Sequence, residues 1–230
     1  MATVTFTPLM LRGAGTRGVP LIPKSGGAFE YTAIDNNFSM AFDGVASSFN
    51  AGLFNELDNG DLSVCIWINT PNTRTVTDYV FGNDGATVRS GFDIEINRYG
   101  RLRTNRQTRT LRADTGFNTV GLTTNTWHHI AFAYEESTNT IKQYFDGQLT
   151  ETLIGDTRNS GASINLHIGS FNGTGNHFLG NLDEAAIFNV KLSDETIKAI
   201  YDTTENNPGK VADLSETPEG APVAWYRMGD

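Results

Sequence analysis

From Phe38 onward the chain is a succession of short apolar or alternating runs, broken by Asp-Gly, Asn-Gly and Tyr-Gly steps. The runs are Phe38 to Phe42, Leu62 to Asn69, Tyr79 to Gly82, Phe92 to Asn97, Trp127 to Tyr134, Ile141 to Phe145, Leu149 to Leu153, Leu166 to Ile168 and Leu182 to Phe188. Runs of this length, separated by residues that accept a positive φ, predict an all-β sandwich or barrel and exclude βαβ units. Asp146-Gly147 has the composition of a two-residue type I′ turn and predicts a hairpin joining Ile141 to Phe145 with Gln148 to Leu153. Tyr99-Gly100 predicts a second, from Phe92 to Asn97 into Arg101 to Asn105. In Leu62 to Asn69, alternate residues Leu62, Val64, Ile66 and Ile68 share one face while Cys65 and Trp67 make the other largely apolar, the mark of a central strand.

Helical periodicity is confined to Ser193 to Tyr201. There Ser193 can cap, Asp194 and Glu195 sit at the positive end of the dipole, and Ile197, Ile200 and Tyr201 form a stripe. A helix this short is an ornament and not a layer. The chain divides into an extended N-terminal arm over 1–37, rich in proline and glycine, a sandwich over 38–203, and a tail over 204–230 ending in a strand-like run. With 230 residues the chain can bury roughly 70% of its unfolded surface, so no disulfide is needed. The single cysteine, Cys65, falls inside an apolar run and is expected in the core.

A net charge of −9 argues against non-specific binding to nucleic acid or an anionic membrane, and no stretch has the length and hydropathy of a membrane span. The first twenty residues show neither a basic start nor a continuous apolar segment, so no secretion signal is visible. Against this acidic background, six of the 12 arginines fall between Arg98 and Arg112. Guanidinium groups pair bidentately with carboxylate, sulfate or phosphate, which makes Arg101, Arg103, Arg106 and Arg109 candidate binding residues. Arg101 and Arg103 would share one strand face. The alternative is an edge strand kept solvated by its charge.

Three stretches, taken in order, resemble the laminin-G-like, concanavalin A-type jelly-roll family. They are Phe42-Asp-Gly44 with Leu62-Ser-Val-Cys-Ile-Trp-Ile68; Trp127-His-His-Ile-Ala-Phe132 with Tyr144-Phe-Asp-Gly147; and Ile168-Gly169 with Phe178-Leu-Gly-Asn-Leu-Asp-Glu184 and Leu192-Ser-Asp-Glu195. The resemblance covers roughly residues 38–202 and implies an antiparallel two-sheet β-sandwich with one short C-terminal helix and extended terminal arms. Trp127, His128 and His129 are accounted for as scaffold. Many members of the family open with a Val-Ala-Tyr-Trp-like strand, whereas here the similar Pro222-Val-Ala-Trp-Tyr226 comes last. It pairs in its own sheet, begins a further module, or exchanges with a neighbouring subunit.

The fold also houses glycoside hydrolases with Glu-x-Asp-x-Glu on a strand. The nearest match, Gly91-Phe-Asp93-Ile-Glu95, has glycine where the first carboxylate belongs, so the chain is read as a non-enzyme. No cofactor is required. The resemblance implies a structural calcium in some relatives, and of Asp43, Asp58, Asn59, Asp61, Asp183 and Glu184 the best single ligand is Asp183. Two functions remain open. One is an adhesive module that recognises glycans, or another protein surface, outside the cell. The other is a structural protein that decorates a virion, a homo-oligomer or capsid or fibre component held by its terminal arms.

Overall fold

The computed structural model describes residues 29–53, 60–71, 76–83, 92–96, 101–106, 115–154 and 165–228. In chain order the strands are β1 (Ala33–Asp35), β2 (Met40–Asp43), β3 (Phe49–Leu53), β4 (Leu62–Asn69), β5 (Asp78–Gly82), β6 (Phe92–Ile96), β7 (Arg101–Arg106) and β8 (Thr115–Gly121). There follow β9 (Trp127–Glu135), β10 (Thr140–Phe145), β11 (Gln148–Ile154), β12 (Asn165–Ile168), β13 (Leu179–Phe188), the helix α1 (Asp194–Glu205), β14 (Lys210–Ala212) and β15 (Ala224–Tyr226).

The strands form two main antiparallel sheets. One runs β11-β10-β9-β4-β13-β15, with β2 also on β13; the other runs β3-β12-β5-β6-β7-β8. Their inner faces meet in one core. Leu62, Val64, Ile66 and Ile68 of β4 with Ile130 and Phe132 of β9 pack against Val80, Phe81, Ile94, Leu166 and Ile168 of the opposite sheet. The expected antiparallel sandwich is the observed fold, and β4 is central, flanked by β9 and β13.

The Asp-Gly hairpin forms as the sequence predicts. Asp146 and Gly147 have φ of 48° and 70°, and Phe145 pairs with Gln148 across a two-residue loop. A side chain at Gly147 would also strike Tyr201, whose Cβ lies 2.9 Å from the point a methyl group there would occupy. β6 and β7 pair antiparallel as expected, while Tyr99-Gly100 lies outside the described residues.

A second apolar cluster lies on the outer face of the seven-stranded sheet. Cys65, Ala131, Ala133, Tyr144, Ala186 and Phe188 of the sheet are covered by Leu192, by Ile197 and Ile200 of α1, and by Ala212 and Leu214. The helix extends to Glu205, past the predicted end at Tyr201, and seals this face instead of merely decorating it. Ser193 caps it, its Oγ accepting from the Thr196 N–H at 3.1 Å, and Glu219 accepts from the Ser193 N–H and the Thr196 hydroxyl. Asp194 in its first turn accepts from Lys142 Nζ and Tyr144 Oη, each at 2.7 Å, tying α1 to β10.

Residues 1–28 of the expected arm lie outside the described residues, and 29–37 are docked. β1 pairs with β14, the Thr32 N–H and hydroxyl donate to Glu216, and Tyr31 donates to Thr217. The terminal strand finds its partner in its own chain: Ala224, Trp225 and Tyr226 pair with Ile187, Ala186 and Ala185. β2 occupies the adjoining stretch of the same β13 edge, with Met40 to Asp43 against Leu182 to Leu179. Two strands far apart in sequence thus share one edge end to end.

Candidate functional site

The junction of those two strands is a β-bulge. The pairing of β13 with β4 shifts between Asp183 and Ala186, and Glu184 sits in the left-handed region at φ 50°. Leu182, Ala185 and Ile187 point into the main core, while Ala186 and Phe188 belong to the outer cluster. The extra residue lets Asp183 and Glu184 both serve the outer face: Asp183 lines a pocket there, and Glu184 lines a separate small cavity with Cys65, Trp67 and His129.

The pocket, about 330 Å³, is built on two rows of register partners on this outer face. Asp183, Trp67 and His129 make one row; Asn181, Asn69 and Trp127 make the next, at the strand ends. Trp67 and Asp183 are buried at the floor, whereas Trp127 is 37% and Phe38 61% exposed. Trp67 is held from beneath, stacked on Tyr201 at 5.9 Å and tilted against His129 at 5.2 Å. One wall is Asn36, Asn37, Phe38 and Ser39; the other is Thr204 and Glu205 at the end of α1 with Gly209, Lys210 and Val211. Asn36 joins wall to floor: its N–H donates to the Gly209 carbonyl at 3.0 Å and its Nδ2 to Asp183 Oδ2 at 2.9 Å. Lys210 Nζ donates to Asp35 Oδ1 at 2.6 Å.

Glu184 is the most perturbed carboxyl beside the site. Burial, with Asp183 next to it, raises it from 4.5 to about 7, against the pull of Trp225 and Arg227. Trp225 Nε1 donates to its Oε2, Arg227 Nε to its Oε1 at 3.4 Å, and Arg227 Nη2 reaches the Asp35 carbonyl at 2.6 Å. Burial pushes His129 the other way, from 6.5 to about 4.

The residues expected from sequence fall elsewhere. Arg101, Arg103 and Arg106 lie on β7, with Glu95 the register partner of Arg103, and Arg109 lies outside the described residues. β7 is paired on both sides, by β6 and β8, so the reading of this run as an edge strand is corrected. Asp183 does reach the pocket, but as an acceptor, its Oδ1 taking the Glu184 N–H at 2.8 Å. Asp43 Oδ1 closes a turn, accepting from the N–H groups of Val45, Ala46 and Ser47; Asp61 Oδ1 accepts from Glu136 N–H; Asp58 and Asn59 lie outside the described residues. Calcium takes roughly six to eight oxygens. Among the described residues no three His, Cys, Asp or Glu side chains converge, and none of these build such a cage around Asp183. Asp93 and Glu95 are both buried on β6.

His128 is scaffold: its Nδ1 meets Asp146 Oδ2 at 2.9 Å, its Nε2 faces the Thr123 N–H at 3.2 Å, and the His129 N–H donates to Asp146 Oδ1. Trp127 is more than that, since its exposed ring borders the pocket. Asn36, Asn37, Glu205 and Lys210 carry no motif, and Trp67 lies in a stretch that marks the fold and not a site. The one signal in the sequence is Trp67, an indole on the side of a buried strand opposite its aliphatic row.

The model of the concanavalin A-like lectin/glucanases superfamily matches residues 43–198. Among the described lining residues of the pocket, Trp67, Trp127 and Asp183 fall within that span and the remainder flank it on either side. No curated protein sequence matches the chain. Among solved structures, a Bacteroides ovatus protein named provisionally as carbohydrate binding superposes with a TM-score of 0.61 at 15% identity, over 88% of this chain; the chain spans 53% of that protein's length. The CBM40 of the Ruminococcus gnavus IT-sialidase gives 0.55 at 13% identity, over 71% of this chain and 98% of its own. Domain 4 of the extracellular arabinanase AbnA from Geobacillus stearothermophilus, solved with arabinotriose, gives 0.55 at 18%, over 74% and 80%. At these identities the likeness is one of fold.

Proposed function

The chain belongs to the concanavalin A-like lectin/glucanase superfamily, and from that premise we propose that it is a non-catalytic module that binds glycans in the Trp67–Trp127–Asp183 pocket. The observation that carries this reading is the composition of the pocket: exposed indole and phenyl rings at the mouth, a buried indole and carboxylate at the floor, and amide and hydroxyl side chains between. Sugars present apolar C–H faces and a rim of hydroxyls, so they need apolar surface and a few placed acceptors together. A volume of about 330 Å³ lies at the lower end of the roughly 300–1,000 Å³ of small-molecule sites, suited to one or two sugar rings. The fold likeness to a sialidase CBM40 and to an arabinanase domain solved with arabinotriose agrees with this reading. In the sequence, Gly91 stands where the first carboxylate of Glu-x-Asp-x-Glu belongs, so Asp93 and Glu95 lack the partner that this motif supplies to a hydrolase, which supports a binding role. Such a module works where glycans are met, outside a cell or on a particle surface.

A glycan array run with calcium and with chelator, on the wild type and Trp127→Ala, tests the assignment. Binding that Trp127→Ala weakens at least about tenfold, or about 1.4 kcal/mol, is expected. Binding that ignores Trp127, or none under either condition, sinks it. The virion-decoration role draws on the lack of a visible secretion signal and of disulfides, on the proline-rich arm and on the terminal strand. Residues 29–37 and β15 both pair within the chain, so neither segment favours that role over glycan recognition.

A further inference from the structure

We infer that the pocket selects neutral sugar ends and turns away anionic ones, a class assignment that rests on the glycan-binding reading above. The floor and one wall carry the carboxylates of Asp183 and Glu205, and Asn37, Ser39 and Thr204 add neutral polar groups. Among the described lining residues the one cation is Lys210, and it is already engaged by Asp35 at 2.6 Å. Arg227, across the bulge, is taken by Glu184 and by the Asp35 carbonyl. The charge of a guanidinium or ammonium with its partner in place is largely balanced before an anion arrives, whereas carboxylate oxygens keep lone pairs that accept from sugar hydroxyls. The site therefore offers an excess of negative charge to whatever enters, and the chain's net charge of −9 adds a field of the same sign. A hydroxyl-bearing neutral ring gains hydrogen bonds there; a carboxylated or sulfated ring brings like charge into a partly desolvated pocket.

The test compares neutral oligosaccharides with their carboxylate-capped counterparts, wild type against Trp127→Ala and Asp35→Asn, by calorimetry at low and at high salt. Neutral glycans should bind at least tenfold tighter than their capped partners at low salt, and the gap should narrow as salt screens the repulsion. Asp35→Asn removes the engaged partner of Lys210, on a side chain 77% exposed, and should raise the ratio of capped to neutral affinity about tenfold. Capped glycans that bind as well as neutral ones, with an affinity that Trp127→Ala abolishes, would overturn the selectivity and leave the pocket standing as a glycan site. A selectivity that Asp35→Asn does not move would also overturn it. Glycan binding untouched by Trp127→Ala would remove the pocket reading itself.

Discussion

Replacing Glu184 by glutamine should change the shape of the protein's stability profile with pH. In the folded state burial keeps the Glu184 proton bound up to about pH 7, while the unfolded chain releases it near 4.5. Between those values the folded state binds more protons, so raising the pH costs stability. At about 1.4 kcal/mol per pH unit the full cost is about 3 kcal/mol, present above pH 7 and absent below 4.5. His129 acts in the opposite sense. Its folded value of about 4 lies below the ordinary 6.5, so the unfolded chain takes up a proton that the folded one refuses. Acidification from 6.5 to 4 therefore removes about 3 kcal/mol. Between about 4.5 and 6.5 the two contributions offset each other in the wild type. The groups that set these values are Asp183, Trp225 and Arg227 around Glu184, and Asp146 near His129. In Glu184→Gln the His129 slope is left uncompensated. At pH 8 the variant should be more stable by about 1–2 kcal/mol, after a discount for the weakened contact to Arg227. The advantage should shrink as pH falls, vanish near pH 6 and become a deficit of about 1 kcal/mol by pH 5. Urea midpoints from pH 4.5 to 8 read the difference, in which every other titrating group cancels. Parallel curves with a constant gap would refute the reasoning, for Glu184 would then titrate at its ordinary value.

Two further substitutions probe the frame around the site. Gly180→Ala places a methyl 2.2 Å from the Asn69 carbonyl oxygen at φ 141° and should cost about 3 kcal/mol or more; a loss under about 0.5 kcal/mol by urea unfolding would contradict the close approach of β13 to β4. Asp146→Ala removes acceptors for the His129 N–H and for His128 and should cost about 1–3 kcal/mol, with faster amide exchange at His129; unchanged exchange there would deny the hairpin its anchor.

What the sequence discloses is what repeats along it. Leu62 to Asn69 alternates cleanly and forms a strand with those limits, Asp146-Gly147 states its turn type, and Ser193 followed by two acids states a helix start. The bulge is legible only as a conflict: strict alternation through Leu182 to Phe188 would put Glu184 on the same face as Leu182, in the core. An inserted residue resolves it, and the register of the whole edge follows. The pocket leaves no such trace, because its walls, 36–39 and 204–211, have no period, meet through the Asn36 N–H and the Gly209 carbonyl, and reach the floor through Asn36 and Asp183, 147 residues apart. Trp127 can be assigned to a strand start from its neighbours, but its exposure depends on what packs beside it.

The shared edge of β13 also makes the rim of the pocket the more labile part of the molecule. β1, β2, β14 and β15 are three or four residues long, and their partners lie far off in the chain, as in Ala33 with Ala212 or Met40 with Leu182. Short elements held by distant partners open at lower free energy than the strands beneath them. A brief release of the segments that carry Asn36 and Lys210 would open the wall of the pocket over Asp183 while the two sheets stayed closed. Proteases and heat would then open the pocket before they erased the fold, and, on the proposed glycan-binding reading, a preparation could pass every test of folding yet recognise nothing.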